Sequence, residues 1–301
     1  MKWLQDHPLF AAVRSNELYL KTESTVVFLC GAISKDGKRS ARDILLDYAV
    51  RHLSDFTFFR AEDAIQQITH EFPSDLLSIE GALAGYADCI VIILESPSAI
   101  AELGAFSNVR QLAKIILAIN DVRYKNEQSF ISLGPLRHIA RVSLFGAPLH
   151  TSFTTILECA ALLEDRLNTI RRKRAVRLSL ADRDSFNNAT PKHRLLFVAD
   201  VISLLSPTTV ADVKVFFQAL YGKRPGKRLS LDIGMLEALK LSTRRGSFIL
   251  RSPARERQFV RYPGDSFASF RSRMLKHYLN TDPRRLRVMK EYVVDCVNSA
   301  G

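Results

Sequence analysis

Residues 86–108, YADCIVIILESPSAIAELGAFSN, place one glutamate, Glu102, where it could do chemistry. Residues 89–94 form an unbroken apolar run, the pattern of a strand covered on both faces. Pro97 cannot donate to a ladder and biases Ser96 away from helix, so the strand ends there. Ser98 suits an N-cap for the helix formers that follow, which puts Glu102 near the first turn. Open α/β sheets bind ligands outside the carboxyl ends of their strands, so Glu102 is expected at a crevice mouth, with Gly104 leaving room beside it. A lone carboxylate there suits attack at a sugar anomeric carbon. Departure of a nucleobase or nicotinamide leaves an oxocarbenium-like centre that the carboxylate stabilises or traps. Nicotinamide leaves NAD as a neutral group, so a second, acidic carboxyl is less necessary. The competing reading is a solvent-facing helix glutamate.

The elements that would position Glu102 follow from pattern. Residues 25–30, TVVFLC, are a first core strand ended by Gly31. Small residues in the loop 31–38 let backbone N–H groups approach a ligand; a plain strand-to-helix turn is the alternative. No GxGxxG occurs, which excludes the dinucleotide fingerprint. Residues 42–53 show a helical face of Ile44, Leu45, Tyr48, Ala49 and Leu53. A second strand, 56–59, runs into Glu62 and Asp63, which either face the crevice or open a helix. The helix start weighs more for Glu62 than for Asp63. A helix over 76–85 precedes Asp88, a turn, cap or site-lining residue. Residues 114–119 are a further strand, 120–134 a loop or lid, and 141–145 a last edge strand. The alternation implies a parallel sheet with helices on both faces.

Beyond it, 152–174 reads as a long helix ending in Arg171-Arg172-Lys173-Arg174, and 178–192 as a linker. Helices over 195–205, 210–221 and 231–241 precede a strand, a Gly246 turn and a strand. Three helices and a basic hairpin are the winged-helix order, with Arg244, Arg245 and Arg251 on the wing. The expected domains are 1–150, 151–192 and 193–301, with residues 1–22 a short leading arm.

Charge separates the two halves. Residues 1–150 hold 15 Lys and Arg against 17 Asp and Glu, whereas residues 151–301 hold 28 against 14. So strong an asymmetry points to a polyanion partner for the second half. No apolar run approaches the ~20 residues of a membrane span, and Asp6 and His7 stand where an export signal needs its apolar core. The four cysteines are scattered, with no CxxC pair and no Cys/His cluster, so no disulfide framework or metal site is expected. A cytoplasmic protein is expected.

The pattern Ser96-x-Ser98-Ala99-x-x-Glu102-x-Gly104 is similar to the D-x-G-T-x-x-E-x-G signature of nucleoside 2-deoxyribosyltransferase-like folds. Phe28-Leu29-Cys30-Gly31, Leu76-Leu77-Ser78-Ile79-Glu80, Ala87-Asp88, Ile92-Ile93, Glu95-Ser96-Pro97, residues 102–108 and Ser129-Phe130-Ile131-x-x-Gly134-Pro135 together resemble the toxin effector of type II retrons. The resemblance covers about residues 25–140; the C-terminal half matches in architecture and basicity. It implies an anti-phage effector that cleaves an N-glycosidic bond, with NAD as the substrate and no cofactor. A reverse transcriptase with its RNA-primed multicopy single-stranded DNA would restrain it, and a higher-order oligomer fits. Glu102 matches the family's catalytic glutamate. Gly31, Ser96 and Ser98 fall in loops expected to contact ribose or phosphate, and Asp63 and Asp88 are candidates for ribose hydroxyls. Ser98-Ala99 replaces the transferase Gly-Thr, which favours hydrolysis over base exchange. Two other readings are a non-catalytic, nucleotide-sensing DNA-binding regulator and a housekeeping N-glycosidase.

Overall fold

The computed structural model describes the chain except residues 1–3, 22–24, 69–75, 172–175, 224–227, 253–257 and 299–301. Its first elements are helix α1 (Pro8–Arg14) and strand β1 (Tyr19–Leu20). Pro8 at the first helical position and His7 Nδ1, which accepts from Leu9 N–H, start α1. Phe10 meets Phe216 edge-on and stacks on Phe270, and β1 pairs antiparallel with residues 260–261. This leading arm, expected within the first domain, instead completes a helical unit formed by Met1–Lys21, Gln67–Glu71 and Ala175–Gly301.

The other unit, Thr22–Gln66 with Phe72–Arg174, is α/β. It runs β2 (Thr25–Cys30), α2 (Ala41–His52), β3 (Phe56–Phe59), α3 (Ala61–Ile68), α4 (Leu76–Ala84), β4 (Cys89–Ile93) and α5 (Pro97–Ser107). Then come α6 (Arg110–Ala113), β5 (Ile116–Asp121), α7 (Arg137–Val142), β6 (Leu149–Thr151) and α8 (Ala160–Arg171). The five strands are parallel in the order β3-β2-β4-β5-β6. Every residue of β2 to β5 is buried, as a sheet covered on both faces requires. Val27, Leu29, Val91, Ile93, Leu117 and Ile119 pack with Leu45 and Ala49 of α2 and Leu163 and Leu167 of α8. On the opposite face Phe28 stacks on Phe59 and meets Phe106 of α5. The chain leaves β2 for β3 on one side and returns to β4 on the other, so the topological switch point lies between β2 and β4.

Two expected elements differ. Residues 141–145 are not a strand: α7 runs to Val142, and Ser143 Oγ then donates to Ile116 O, so the edge position falls to β6. The helix expected from 152 begins as a 3-10 segment, Phe153–Cys159, with Thr155 outside helical geometry, and is α-helical only from Ala160. Most of its basic end, 172–174, lies outside the described residues.

The helical unit adds α9 (Arg183–Asn188), α10 (Pro191–Leu205), α11 (Val210–Tyr221), α12 (Arg228–Ala238), β7 (Ser242–Arg245), β8 (Phe248–Arg251), β9 (Val260–Arg261), α13 (Ser266–Thr281) and α14 (Pro283–Asn298). Residues 178–192, expected as a linker, instead carry α9 and the buried Leu178, Leu180 and Phe186. α10 is its centre, buried from Arg194 to Leu205. The two charged groups inside it are satisfied: Arg194 Nη2 donates to Asp232 Oδ1 at 3.0 Å, and Asp200 accepts the N–H groups of Phe259 and Val260. Gly246, with φ of 59°, turns β7 back into β8. Among the described residues no helix is long and apolar enough to cross a membrane.

Asp88 fixes the amino ends of the central strands. Its carboxylate accepts from Val26 N–H at 2.9 Å and its own N–H donates to Val26 O at 2.8 Å. Asp88→Ala strands the Val26 donor and is expected to lower stability by about 1–2 kcal/mol, read by urea denaturation.

Candidate active site

At the carboxyl ends of β2 and β4 the loop after β4 supplies Glu95. Its Oε1 accepts from Ala32 N–H (3.1 Å) and Arg42 N–H (2.9 Å), and its Oε2 from Ala41 N–H (2.7 Å). Ala41 and Arg42 open α2, so Glu95 fills the positive end of that helix. Gly31 is required beneath it: a Cβ there would lie 2.9 Å from Arg42 Cβ and 3.0 Å from Glu95 Oε1. The close approach expected of Gly31 is thus made by the protein's own side chains.

Pinning the start of α2 directs the Arg42 guanidinium inward. Its side chain is 4% exposed, its Nη1 lies 2.8 Å from Glu62 Oε1, and its Nη2 lies 3.4 Å from Asp43 Oδ1. Arg60 takes the other acids, pairing with Asp63 through Nη2 at 2.8 Å and with Asp43 through Nη1 at 3.1 Å. Both acids open α3, as one of the two readings of the sequence has it. Asp63 is held by Arg60, and Glu62 turns to Arg42.

Glu102 stands on the second turn of α5. The N-cap is Ser96, whose Oγ accepts from Ala99 N–H at 3.2 Å, with Pro97 as the first helical residue. Ser98, expected as the cap, is an exposed first-turn residue with its Oγ 3.3 Å from Ser96 Oγ. Cys30, on the α5 side of β2, is a neighbour of the Glu102 carboxyl. Glu102 Oε2 and Arg42 Nε are buried, and neither has a hydrogen-bond partner among the described residues. Burial, and then the charge of Glu80 on α4, push Glu102 up to about 7, against the pull of Cys30 and Arg42. Burial and then Glu62 raise Glu80 in turn. Burial and then Glu102 push the Cys30 thiol well above its ordinary range. The site is therefore three neighbouring carboxyls, Glu62, Glu80 and Glu102, with the buried Arg42 guanidinium ion-paired to Glu62, and with Glu102 Oε2 buried and unpartnered among the described residues. Among the described residues no cluster of His, Cys, Asp and Glu could hold a metal ion.

Of the sequence candidates, Glu102, Gly31, Ser96 and Ser98 fall at this end of the sheet. Asp88 lies at the other end of β4, with all five residues of the strand between it and the loop that carries Glu95. Arg42, Glu62, Glu80 and Glu95 were not singled out as site residues. Arg42 shares the buried stripe of Leu45 and Ala49 at helical spacing, and Glu80 that of Leu83 and Ala84. A charge on an apolar stripe was the available signal.

The arginines of the β7–β8 hairpin are engaged within the helical unit. Arg244 Nη2 lies 2.7 Å from Glu237 Oε1, and Arg245 Nη2 lies 2.9 Å from Asp295 Oδ2 with its guanidinium over the Tyr292 ring. Arg251 N–H donates to Ser206 Oγ.

A family model described as "STM3845 retron effector protein" matches residues 38–244, which span the Arg42, Glu62, Glu80 and Glu102 cluster. The chain belongs to this retron effector family. It is 32% identical over 232 residues to the Escherichia coli "Retron Ec73 putative ribosyltransferase/DNA-binding protein", covering 71% of this chain and 73% of that one. A second Escherichia coli relative, "Retron Ec86 putative ribosyltransferase/DNA-binding protein", is 36% identical over 112 residues, 37% of this chain and 36% of the relative.

For this retron effector the raised Glu102 has a stability consequence. The folded form binds a proton near pH 7 that the unfolded chain binds only near the ordinary glutamate value, so stability is lost as pH rises between the two. Glu102→Gln removes the buried charge. It is expected to exceed the parent protein by about 1–3 kcal/mol at pH 8 and to match it near pH 4, read by melting curves across pH.

Proposed function

We propose that this retron effector is a toxin that cleaves the N-glycosidic bond of NAD or a related nucleotide, acting in anti-phage defence. The observation that carries this reading is the buried Glu102 Oε2 near the sheet's switch point, unpartnered among the described residues and within the field of the Arg42 guanidinium. In this reading the ionised Glu102 faces the anomeric carbon. As the C1′–N bond breaks, its electron pair stays with nicotinamide, which departs neutral, and Glu102 stabilises or traps the positive sugar carbon. Water completes the reaction and delivers one proton to solvent. Arg42 keeps a share of Glu102 ionised despite burial and the charge of Glu80. The relatives' names speak of ribosyl transfer; with water as acceptor the same chemistry is hydrolysis. Ser96 and Ser98, at the start of α5, are the residues placed to meet ribose or phosphate.

The parallel sheet with Glu102 after β4 supports a nucleoside deoxyribosyltransferase-like fold. The helices α10–α12 followed by the β7–β8 hairpin support a winged-helix module. We assign the second half of the chain, with its excess of 14 positive charges, to docking on the retron's reverse transcriptase and multicopy single-stranded DNA. That complex restrains the effector in the cytoplasm until infection.

Expressing the chain alone and following cellular NAD by mass spectrometry tests the reading. Glu102→Gln is expected to remain folded and to lose more than about 100-fold in turnover, a range set by removal of a covalent or electrostatic group. Unchanged NAD loss in soluble Glu102→Gln protein sinks the assignment. The pH profile adds a second readout. With Glu102 acting as carboxylate, kcat/KM rises with pH to a plateau above about 7. Glu80→Gln removes the like charge and moves that rise to lower pH; a profile that does not move would separate Glu80 from the reacting carboxylate.

A further inference from the structure

The α/β unit carries a groove of about 950 Å³ that the chemistry above does not use. It runs past the C-terminal half of α5, whose N-terminal half carries Glu102, and is lined by Phe130, Arg110, Lys114, His138, Gly104 and Pro135 among others. Among the described residues no acid lines it. Three features set it apart from an ordinary solvated surface.

The first is Phe130, which is 86% exposed, the most exposed large apolar side chain among the described residues. The outer edge of its ring rests over Gly134, 3.8 Å from where a Cβ would stand. A large aromatic ring supported on one edge and otherwise open is a stacking platform. The second is charge. Residues 104–146 hold six Lys and Arg against two acids, inside a half of the chain whose net charge is negative. Arg110, Lys114 and His138 are exposed, and none makes an ion pair among the described residues. They contrast with Arg244 and Arg245 of the hairpin, each of which already faces a carboxylate. The third is smoothness. A Cβ at Gly104 would meet nothing within 4 Å, so the α5 wall is open to a planar group.

We propose that this groove binds a single-stranded nucleic-acid segment, with a base stacked on Phe130 and the backbone phosphates held by Arg110, Lys114 and His138. An aromatic platform in a cationic groove is the general solution for single strands, because every base has a π-face and every linkage a charge. Duplex hides its base faces and gains only the phosphate contacts. The proposal does not rest on the glycosidase reading: among the described residues Phe130, Arg110, Lys114 and His138 make no hydrogen bond or ion pair with Arg42, Glu62, Glu80 or Glu102. The two are nevertheless joined by one helix, since Glu102 and Gly104 both lie on α5.

Fluorescence anisotropy of a labelled oligothymidylate with the full chain tests it. Phe130→Ala is expected to weaken binding about 5-fold or more and Phe130→Tyr to restore it, because stacking contributes roughly 1–3 kcal/mol per base. The Arg110→Ala and Lys114→Ala pair is expected to reduce the log–log salt slope by about 1.4, two phosphate contacts at roughly 0.7 each. Unlabelled single strand should displace the probe at lower concentration than duplex of the same length. Binding by Phe130→Ala and the paired variant equal to that of the parent protein overturns the proposal, as does a parent protein that fails to bind the probe. A loss of binding that appears only because Phe130→Ala changes the sedimentation coefficient of the free protein overturns it too, and makes the groove a contact between copies. All these side chains are exposed, so unchanged melting temperatures accompany a valid result.

Discussion

The arrangement of the candidate active site depends on one carboxylate that takes no part in the proposed chemistry. Glu95 accepts three backbone N–H groups, from Ala32, Ala41 and Arg42, and so ties the loop after β2 to the loop after β4 across the switch point. Charge-assisted bonds of this kind are about twice as strong as neutral ones. They act where the sheet itself provides no pairing, beyond the strand ends. Together with the Ser40 N-cap, whose Oγ accepts from Asp43 N–H, they fix the first turn of α2, from which the Arg42 guanidinium reaches Glu62. The neutral Gly31 backbone, packed against both Arg42 and Glu95, is the consequence of that tight joint.

From this joint outward, the electrostatics form a graded series. Arg60 neutralises Asp43 and Asp63 at the rim, and Arg42 meets Glu62 further in. Burial and then Glu62 raise Glu80, and burial and then Glu80 raise Glu102, so both rise above the ordinary carboxyl range. A site with fewer cations than acids holds a proton at neutral pH, and the shortage sets which group holds it. Burial and then Glu102 hold the Cys30 thiol well above its ordinary range, so it adds no charge beside Glu102.

How much of this was legible in the chain can be argued residue by residue. The strands 25–30, 56–59 and 89–94 were legible because burial on both faces leaves continuous apolar runs, and Glu102 because a strand, a proline and helix formers fix its place. The edge of the sheet was not. Residues 141–145 have β-branched and apolar character, yet Ile139 and Phe145 are buried from a helix and its C-terminal turn, and three residues at 149–151 form the edge. Glu62 and Asp63 are adjacent acids at a helix start, and nothing local distinguishes them. Their roles are set by whether Arg42 or Arg60, brought in by other elements, reaches each one. Glu95 stands in the polar loop after the apolar run, and its three partners lie more than fifty residues away in sequence, so nothing local marks its role.

The discontinuity of the helical unit bears on how the protein is made. Phe10 and β1 emerge from the ribosome first but pack on Phe216, Phe270 and β9. At ordinary translation rates that delay is on the order of 10 s or more. The α/β unit, contiguous apart from a short break, is synthesised whole in the interval and can fold at once. The α/β unit is therefore assembled while the helical unit still lacks its closing strand, and during synthesis the Glu102 cluster can exist before the basic half is complete.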